Sequence, residues 1–216
     1  MTAAIKGGTE HQKEFMKRNE LEELHYITTI RNVPSIMAKG ILSHKLVRKI
    51  DHNSVAMEVI QERREKKVVP GGRPLHEYVN LYINGRNKML YRVICEGKVQ
   101  HVDLCVLRVN TEILDLPDVV VVDQNASSEY AAFYPAPDGL KHLDRSLIFA
   151  GYWTHPNNPI EEWRHGSIIC AEVLVPDRID PCLIMGAYVS CPEAKTKFEA
   201  LSVDIPVTVN SYLFFK

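Results

Sequence analysis

The sequence lacks the short motifs that announce the commonest reactions. There is no GxGxxG turn, no GxxxxGK[ST] loop, no HExxH helix and no GxSxG elbow, which sets aside the chemistries those motifs serve. No apolar run approaches the ~18 residues of a membrane span, and the opening MTAAIKGGTEHQKEF has no apolar signal core, so a cytosolic protein with no membrane partner is expected. Five cysteines (Cys95, Cys105, Cys170, Cys182, Cys191) form no CxxC pair, and three sit in apolar runs; buried reduced thiols are expected rather than zinc ligands or disulfides. The nine histidines show no ligand spacing, so no metal is expected. A net charge of −1 gives no global pull toward nucleic acid, so any polyanion must be held by local basic patches.

What is present is enough apolar material for one core: 45% of 216 residues are hydrophobic and 25% charged, with no repeats and no obvious linker. Residues 1–21 read as a polar extension, a loose helix, and 22–216 as a single domain. Strands are expected at 24–30, 78–83, 101–109, 118–123, 182–190 and 205–210, and through the apolar run of RHGSIICAEVLVP (164–176). Helices are expected at 32–42 with Asn32 as cap and Gly40 as terminator, at 53–67 from an Asn53 or Ser54 cap, and at 87–96, 143–152 and 192–201; VPGGRP must turn. Short strands outnumber helices without alternating regularly, which is an α+β pattern.

Three features resist a purely structural reading. Glu172 lies inside an apolar strand, on one face with Ile168, Cys170 and Leu174 by alternation. An edge strand with one solvated face would accommodate it; a covered face would demand a partner or a use for the charge. Arg63, Arg64, Lys66 and Lys67 crowd one helix end before a double-glycine turn, which is either a solvated helix end or a phosphate site. The segment VVVVDQNASSEYAAFYPAPDGL (119–140) is a strand followed by a polar, aromatic loop, an ordinary surface loop or a place for binding residues.

PGGRPLHEYVNLYINGRNKMLY resembles the PGG-x-LH-[DE]-YVP core of the DarT family, NAD-dependent ADP-ribosyltransferase toxins that modify bases in single-stranded DNA. ITTIRNVPSIMAKGIL, QERR, VVDQNASSEYAAFY, CAEVLVP and GAYVSCPEAKTKFEAL follow in the family's order, so the resemblance spans residues 22–215. It implies an ADP-ribosyltransferase-like fold, a split central β-sheet with flanking helices and an NAD cleft, and NAD as substrate.

The resemblance makes Glu172 the catalytic carboxylate. Nicotinamide leaves ribose through an oxocarbenium-like state, and a carboxylate can hold the ribose hydroxyls, stabilise the developing charge and help deprotonate the attacking base. Arg64, the second arginine of QERR, would bind the NAD diphosphate and polarise the site, with residues 44–60 folding over NAD. His25, Tyr26, Thr28, His76 and Tyr78 would complete the NAD site, and Asn125, Ser128, Tyr130 and Arg164 would meet DNA, with Phe133 and Tyr134 as further stacking rings. The chain departs from the family where HYITTI puts Tyr26 in place of a histidine, favouring Tyr26 over His25 because strand neighbours point to opposite faces. A second departure is Tyr130, where some relatives have histidine. Both lean the target toward guanine rather than thymine. The family also implies a bacterial cytoplasmic toxin held in check by a macrodomain antitoxin of the DarG kind. Two other readings stay open: a single-stranded nucleic-acid-binding module needing neither Glu172 nor NAD, and an ADP-ribosyltransferase acting on RNA or protein.

Overall fold

Period-two apolar segments separated by polar turns build a sheet whose faces are both covered. The computed structural model describes residues 14–48, 55, 58–96 and 99–216. In chain order these form β1 (Glu23–Thr29), α1 (Val33–Lys39), β2 (Ile41–Leu42), α2 (His44–Val47), α3 (Glu58–Glu65), β3 (Val68–Val69), β4 (Arg73–Pro74), β5 (Tyr78–Tyr82) and α4 (Lys88–Cys95). They continue with β6 (Leu104–Asn110), β7 (Val120–Val122), β8 (Phe133–Pro135), α5 (Arg145–Ile148), α6 (Pro159–Ile168), β9 (Glu172–Pro176), β10 (Arg178–Ile179), β11 (Ile184–Val189), α7 (Pro192–Glu199) and β12 (Val207–Val209).

Eight strands form one sheet in the order β12-β11-β6-β1-β5-β9-β7-β8, and β11 with β12 is its parallel pairing among antiparallel ones. The α+β expectation stands, and so does the split. β1 pairs with β6 over seven residues, from Glu23↔Asn110 to Thr29↔Leu104, and β5 with β9 over five. Between β1 and β5 the ladder holds one pair, His25↔Tyr82. Two firm half-sheets therefore meet at a single rung and leave a cleft along the facing strands. One core, including Leu24, Val79, Leu81, Leu107, Val109, Val173 and Val175, fills one side, and a second around Ile27, Leu90, Leu104, Val106 and Phe214 fills another.

Several local expectations are met through ordinary capping and turn chemistry. Asn87 Oδ1 accepts from the amides of Met89 (2.9 Å) and Leu90 (3.0 Å), starting α4. VPGGRP is the tight turn joining β3 to β4; Gly71 and Gly72 take φ of 107° and 93°, and open space around both makes backbone conformation the reason for glycine.

Other expectations are corrected. The strand through RHGSIICAEVLVP begins only at Glu172, because α6 runs through Ile168. Asn158 Oδ1 accepts from Glu161 N at 3.1 Å and Pro159 occupies the first turn, a start signal hidden by the apolar run after it. The 143–152 helix shrinks to α5. The proposed caps Asn53 and Ser54 lie outside the described residues, as do residues 1–13 of the extension. Of the rest of that extension, Arg18–Glu20 is a single 3-10 turn, while Met16 is buried in the core. All five cysteines are free, but Cys95 and Cys182 are exposed rather than buried.

Candidate active site

β1 and β5 are the lips of the cleft, and their facing residues, backbone and side chain together, define its walls. Tyr26, Ile27 and Thr28 come from β1, Tyr78, Val79, Asn80 and Tyr82 from β5, and Gln61 and Arg64 from α3, with His44 and His76 between; together they surround a cavity of about 170 Å³. Thr28 is fixed by Asn32 Nδ2, which donates to its hydroxyl at 3.1 Å. Burial pushes the Tyr26 phenol up to about 12, so it stays a neutral donor. His25 points away: it sits between the Glu23 carboxylate (3.2 Å) and the Tyr82 carbonyl (3.3 Å), outside the cleft lining. Burial alone would raise Glu23, but hydrogen bonds from His25 and Arg108 hold its carboxyl at about 2. Of the two candidates at the first motif, Tyr26 is the one in the cleft, and the expected NAD contact by His25 finds no support in its position.

Glu172 answers to neither an edge strand nor solvent. β9 lies between β5 and β7, opposite Tyr82 on one side and Val122 on the other, and the glutamate is fully buried. Its charge is met by Arg64 Nη1, which donates to Oε2 at 3.0 Å and Oε1 at 3.3 Å, and by the amide of Ala126, which donates to Oε1 at 3.2 Å. These partners offset the cost of burying the carboxylate. The tyrosine beside it feels the same charge: burial first, and then Glu172, raise the Tyr82 phenol well above its ordinary value. Arg64 is 5% exposed and reaches the cleft wall, while Arg63 is exposed on the other side of α3. The carboxylate thus stands behind the guanidinium at the cleft. Both bonds to Glu172 come from Nη1, which among the described residues leaves Nε and Nη2 of Arg64 for a further anion.

The cleft also has polar groups in need of a ligand. His76 Nε2 and Gln61 Oε1 are buried with no hydrogen-bond partner among the described residues, and both residues line the cavity. The His76 ring lies 4.3 Å from that of His44; burial, and then the charge of Arg64, depress its pKa, so it favours the neutral form. A dinucleotide with amide, hydroxyl and phosphate groups suits this mixture of unpaired donors, acceptors and a cation. Among the described residues no group of His, Cys, Asp and Glu could hold a metal ion.

The loop after β7 approaches Glu172 from the far side. Asn125 Oδ1 accepts from Ser127 N and Oγ (3.0 and 2.6 Å), and Ser128 O accepts from Lys67 Nζ at 2.7 Å, so Lys67 is committed to the loop rather than to a phosphate patch. Tyr130 is 74% exposed and its ring meets Trp163 edge-on at 5.9 Å. Phe133 and Tyr134 are not free platforms: both belong to β8, and Tyr134 stacks on His142 at 4.2 Å. Arg164 is held by Glu161 through two bonds of 2.9 and 2.8 Å. Gln61 and Trp163 were not named as site residues from the sequence, and His44 was expected only as the start of the 44–60 segment. Gln61 could have been, since it stands three residues before Arg64 and so on the same helix face; Trp163 gave no local signal.

A sheet split at one rung, with a buried Arg–Glu pair behind the cleft, has the ADP-ribosyltransferase fold, and solved structures bear this out. The chain superposes on Thermosipho africanus DarTG in complex with ADP-ribose with TM-score 0.77 at 32% identity, covering 90% of this chain and 51% of that one. It superposes on Thermus sp. 2.9 DarT in complex with ADP-ribosylated ssDNA with TM-score 0.77 at 24% identity, covering 94% and 100%, a likeness of fold. The family described as "ssDNA thymidine ADP-ribosyltransferase, DarT" matches residues 25–215, and the chain belongs to that family. A T. africanus (strain H17ap60334) DNA ADP-ribosyl transferase-DNA ADP-ribosyl glycohydrolase fusion protein is 32% identical over 204 residues, 89% of this chain; the chain spans about half that relative's length, 49%. Among the described residues no helix is long and apolar enough to cross a membrane.

Proposed function

We propose that this chain transfers ADP-ribose from NAD to a base in single-stranded DNA. The observation that carries the reading is the buried Arg64–Glu172 pair behind the cleft between β1 and β5. NAD bound there supplies an electrophilic ribose carbon once nicotinamide departs. Arg64 takes the diphosphate with Nε and Nη2 while Nη1 stays on Glu172. Glu172 orients the ribose hydroxyls, stabilises positive charge at the sugar and accepts the proton of the attacking base. Tyr26, Thr28, His76 and Tyr78 hold NAD from the walls. Asn125, Ser128 and Tyr130 lie on the loop that touches Glu172 through Ala126, and with Arg164 they face the DNA. A flipped or unpaired base is required because a stacked one could not reach the ribose.

Free activity on DNA would harm the cell that makes it. We infer a bacterial cytoplasmic toxin paired with a macrodomain antitoxin that removes the modification, a reading supported by the relative in which a transferase is fused to a glycohydrolase.

The test is incubation with a single-stranded oligonucleotide, with and without NAD, read by mass spectrometry. A gain of one ADP-ribose that needs NAD is expected. NAD-independent retention of DNA without a mass gain would make the chain a binding module, and labelling of RNA or protein alone would move it to another acceptor. Four oligonucleotides each lacking one base decide between the thymidine of the family description and the guanine toward which Tyr26 and Tyr130 lean.

A further inference from the structure

Arg64 and Lys67 stand one turn apart at the end of α3, tied by Lys67 N donating to Arg64 O at 3.2 Å. They reach two ends of one short segment. Arg64 Nη1 donates to Glu172, whose Oε1 accepts from Ala126 N (3.2 Å); Lys67 Nζ donates to Ser128 O (2.7 Å), two residues further on. The bonds close a ring running Arg64, Glu172, Ala126, Ser128, Lys67 and back to Arg64. Ser128 N donates to Asn125 O (2.9 Å), and Asn125 N to Ser167 O (3.0 Å), so the turn inside the ring is itself fixed to α6.

We propose that Lys67 is a positioning residue: it holds the Asn125–Tyr130 loop in register with Glu172 and thereby couples the NAD cleft to the base that will react. The inference rests on the proposed function and adds to it a residue that meets neither NAD nor DNA. The chemistry fits the task. A carbonyl can be gripped from a distance only by a long donor, and an ammonium bond to a half-buried carbonyl is stronger than a neutral one. Lys67 itself is set by two backbone bonds, to Arg64 O and from Leu75 N to its own carbonyl (2.9 Å), so its stem starts from a rigid point. A shift of Arg64 toward an anion in the cleft is carried through the turn after α3 to Lys67 and so to Ser128.

The experiment compares Lys67→Ala and Lys67→Arg with wild type in two ways. In the transfer assay, Lys67→Ala should raise KM for a single-stranded oligonucleotide about tenfold, the loss of one charge-assisted bond, with NAD affinity by calorimetry within about twofold. Lys67→Arg, which keeps a cationic donor, should recover most of the loss. An unchanged KM for DNA, or equal losses for NAD and DNA together with a lowered melting temperature, would overturn the proposal as a merely structural role. Amide hydrogen exchange reads the ring directly, whatever the wild type does to DNA. Residues 125–131 should exchange at least about tenfold faster in Lys67→Ala while β9 stays protected. Unaltered exchange in that loop would sink the idea even if KM for DNA rose, whereas an exchange difference between Lys67→Ala and a wild type that modifies no DNA would strike the proposed function and leave the Lys67 contact standing.

Discussion

The two walls that meet at Glu172 are built in opposite ways. On the strand side, side chains project from paired strands: Tyr26 and Thr28 from β1, locked along its β6 edge, Tyr78 from β5, locked along its β9 edge, and Glu172 from β9, paired on both edges. On the loop side the backbone does it: Ala126 N, Ser128 O and Asn125 N are tied down, and the side chain that ends the segment, Tyr130, is left 74% exposed against a half-exposed Trp163. The contrast follows from what each wall is proposed to do. Charge stabilisation needs preorganised groups kept from water. A surface that takes unpaired bases needs open rings on a fixed support.

The largest break in that contrast should come from Glu172. Glu172→Gln keeps the volume and removes the charge, and transfer should fall about 10²- to 10³-fold, the usual cost of one preorganised electrostatic group. Alanine is the poorer probe, because it would leave Arg64 buried without its counter-charge and so also unsettle folding. Initial rates with circular dichroism melts separate the two effects. Wild-type rates in the glutamine variant would remove Glu172 from the chemistry.

Next in size are the two arginines. Arg64→Ala should weaken NAD binding by about 10- to 100-fold, as loss of a charged hydrogen-bond donor does, and also lower the melting temperature by stranding Glu172, while Arg63→Ala should change NAD binding by less than about twofold. Neighbours on a helix differ by about 100° in direction, and here one is buried and the other exposed. Calorimetry that finds the two alike would show that burial does not track use on this wall.

The loop side should respond more weakly and to a different ligand. Tyr130→Ala removes the exposed ring, and stacking worth about 1–3 kcal/mol per base sets the scale. KM for the oligonucleotide should rise about tenfold with NAD affinity unmoved, measured on the same samples. A loss of NAD affinity instead would mean that the ring covers the cleft.

The difference between the walls also explains what could be read from the sequence. Strand-side residues announce themselves locally: a glutamate inside EVLV, adjacent arginines that a helix must separate, an alternation that sends Tyr26 and His25 to opposite faces. Each is a statement about periodicity; the structure honours the second and third, and the first only from Glu172 onward, because Ile168 ends α6 and Cys170 precedes β9. Loop-side positions are set by contacts between distant segments, such as Lys67 with Ser128 or Tyr130 with Trp163, for which no local pattern exists. Between these lies α6. Its start was written in Asn158 and Pro159, yet SIIC directly before AEVLV made one long apolar run that reads as strand, since periodicity cannot tell a buried helix end from the strand that follows it. Phe133 and Tyr134 failed for a related reason: FYP looked like open loop, but pairing with β7 makes it the sheet's edge.

Arg164 should give the smallest effect and sharpen the boundary of the reading wall. Its guanidinium is about half exposed and forked onto Glu161, whose carboxyl it holds below the ordinary range by that hydrogen bond. An exposed pair of this kind is worth roughly 0.2–1 kcal/mol, so a DNA phosphate could draw the arginine away, though at the cost of leaving Glu161 near the strand. The two terms nearly offset, and Arg164→Ala should raise KM for DNA by no more than about threefold at physiological salt. Glu161→Gln tests the same balance from the other side. By freeing the cation and deleting the repulsion, it should lower KM for DNA and steepen its salt dependence. If instead Arg164→Ala costs tenfold or more, the arginine leaves Glu161 in the complex, and the wall that meets DNA extends from the loop onto α6.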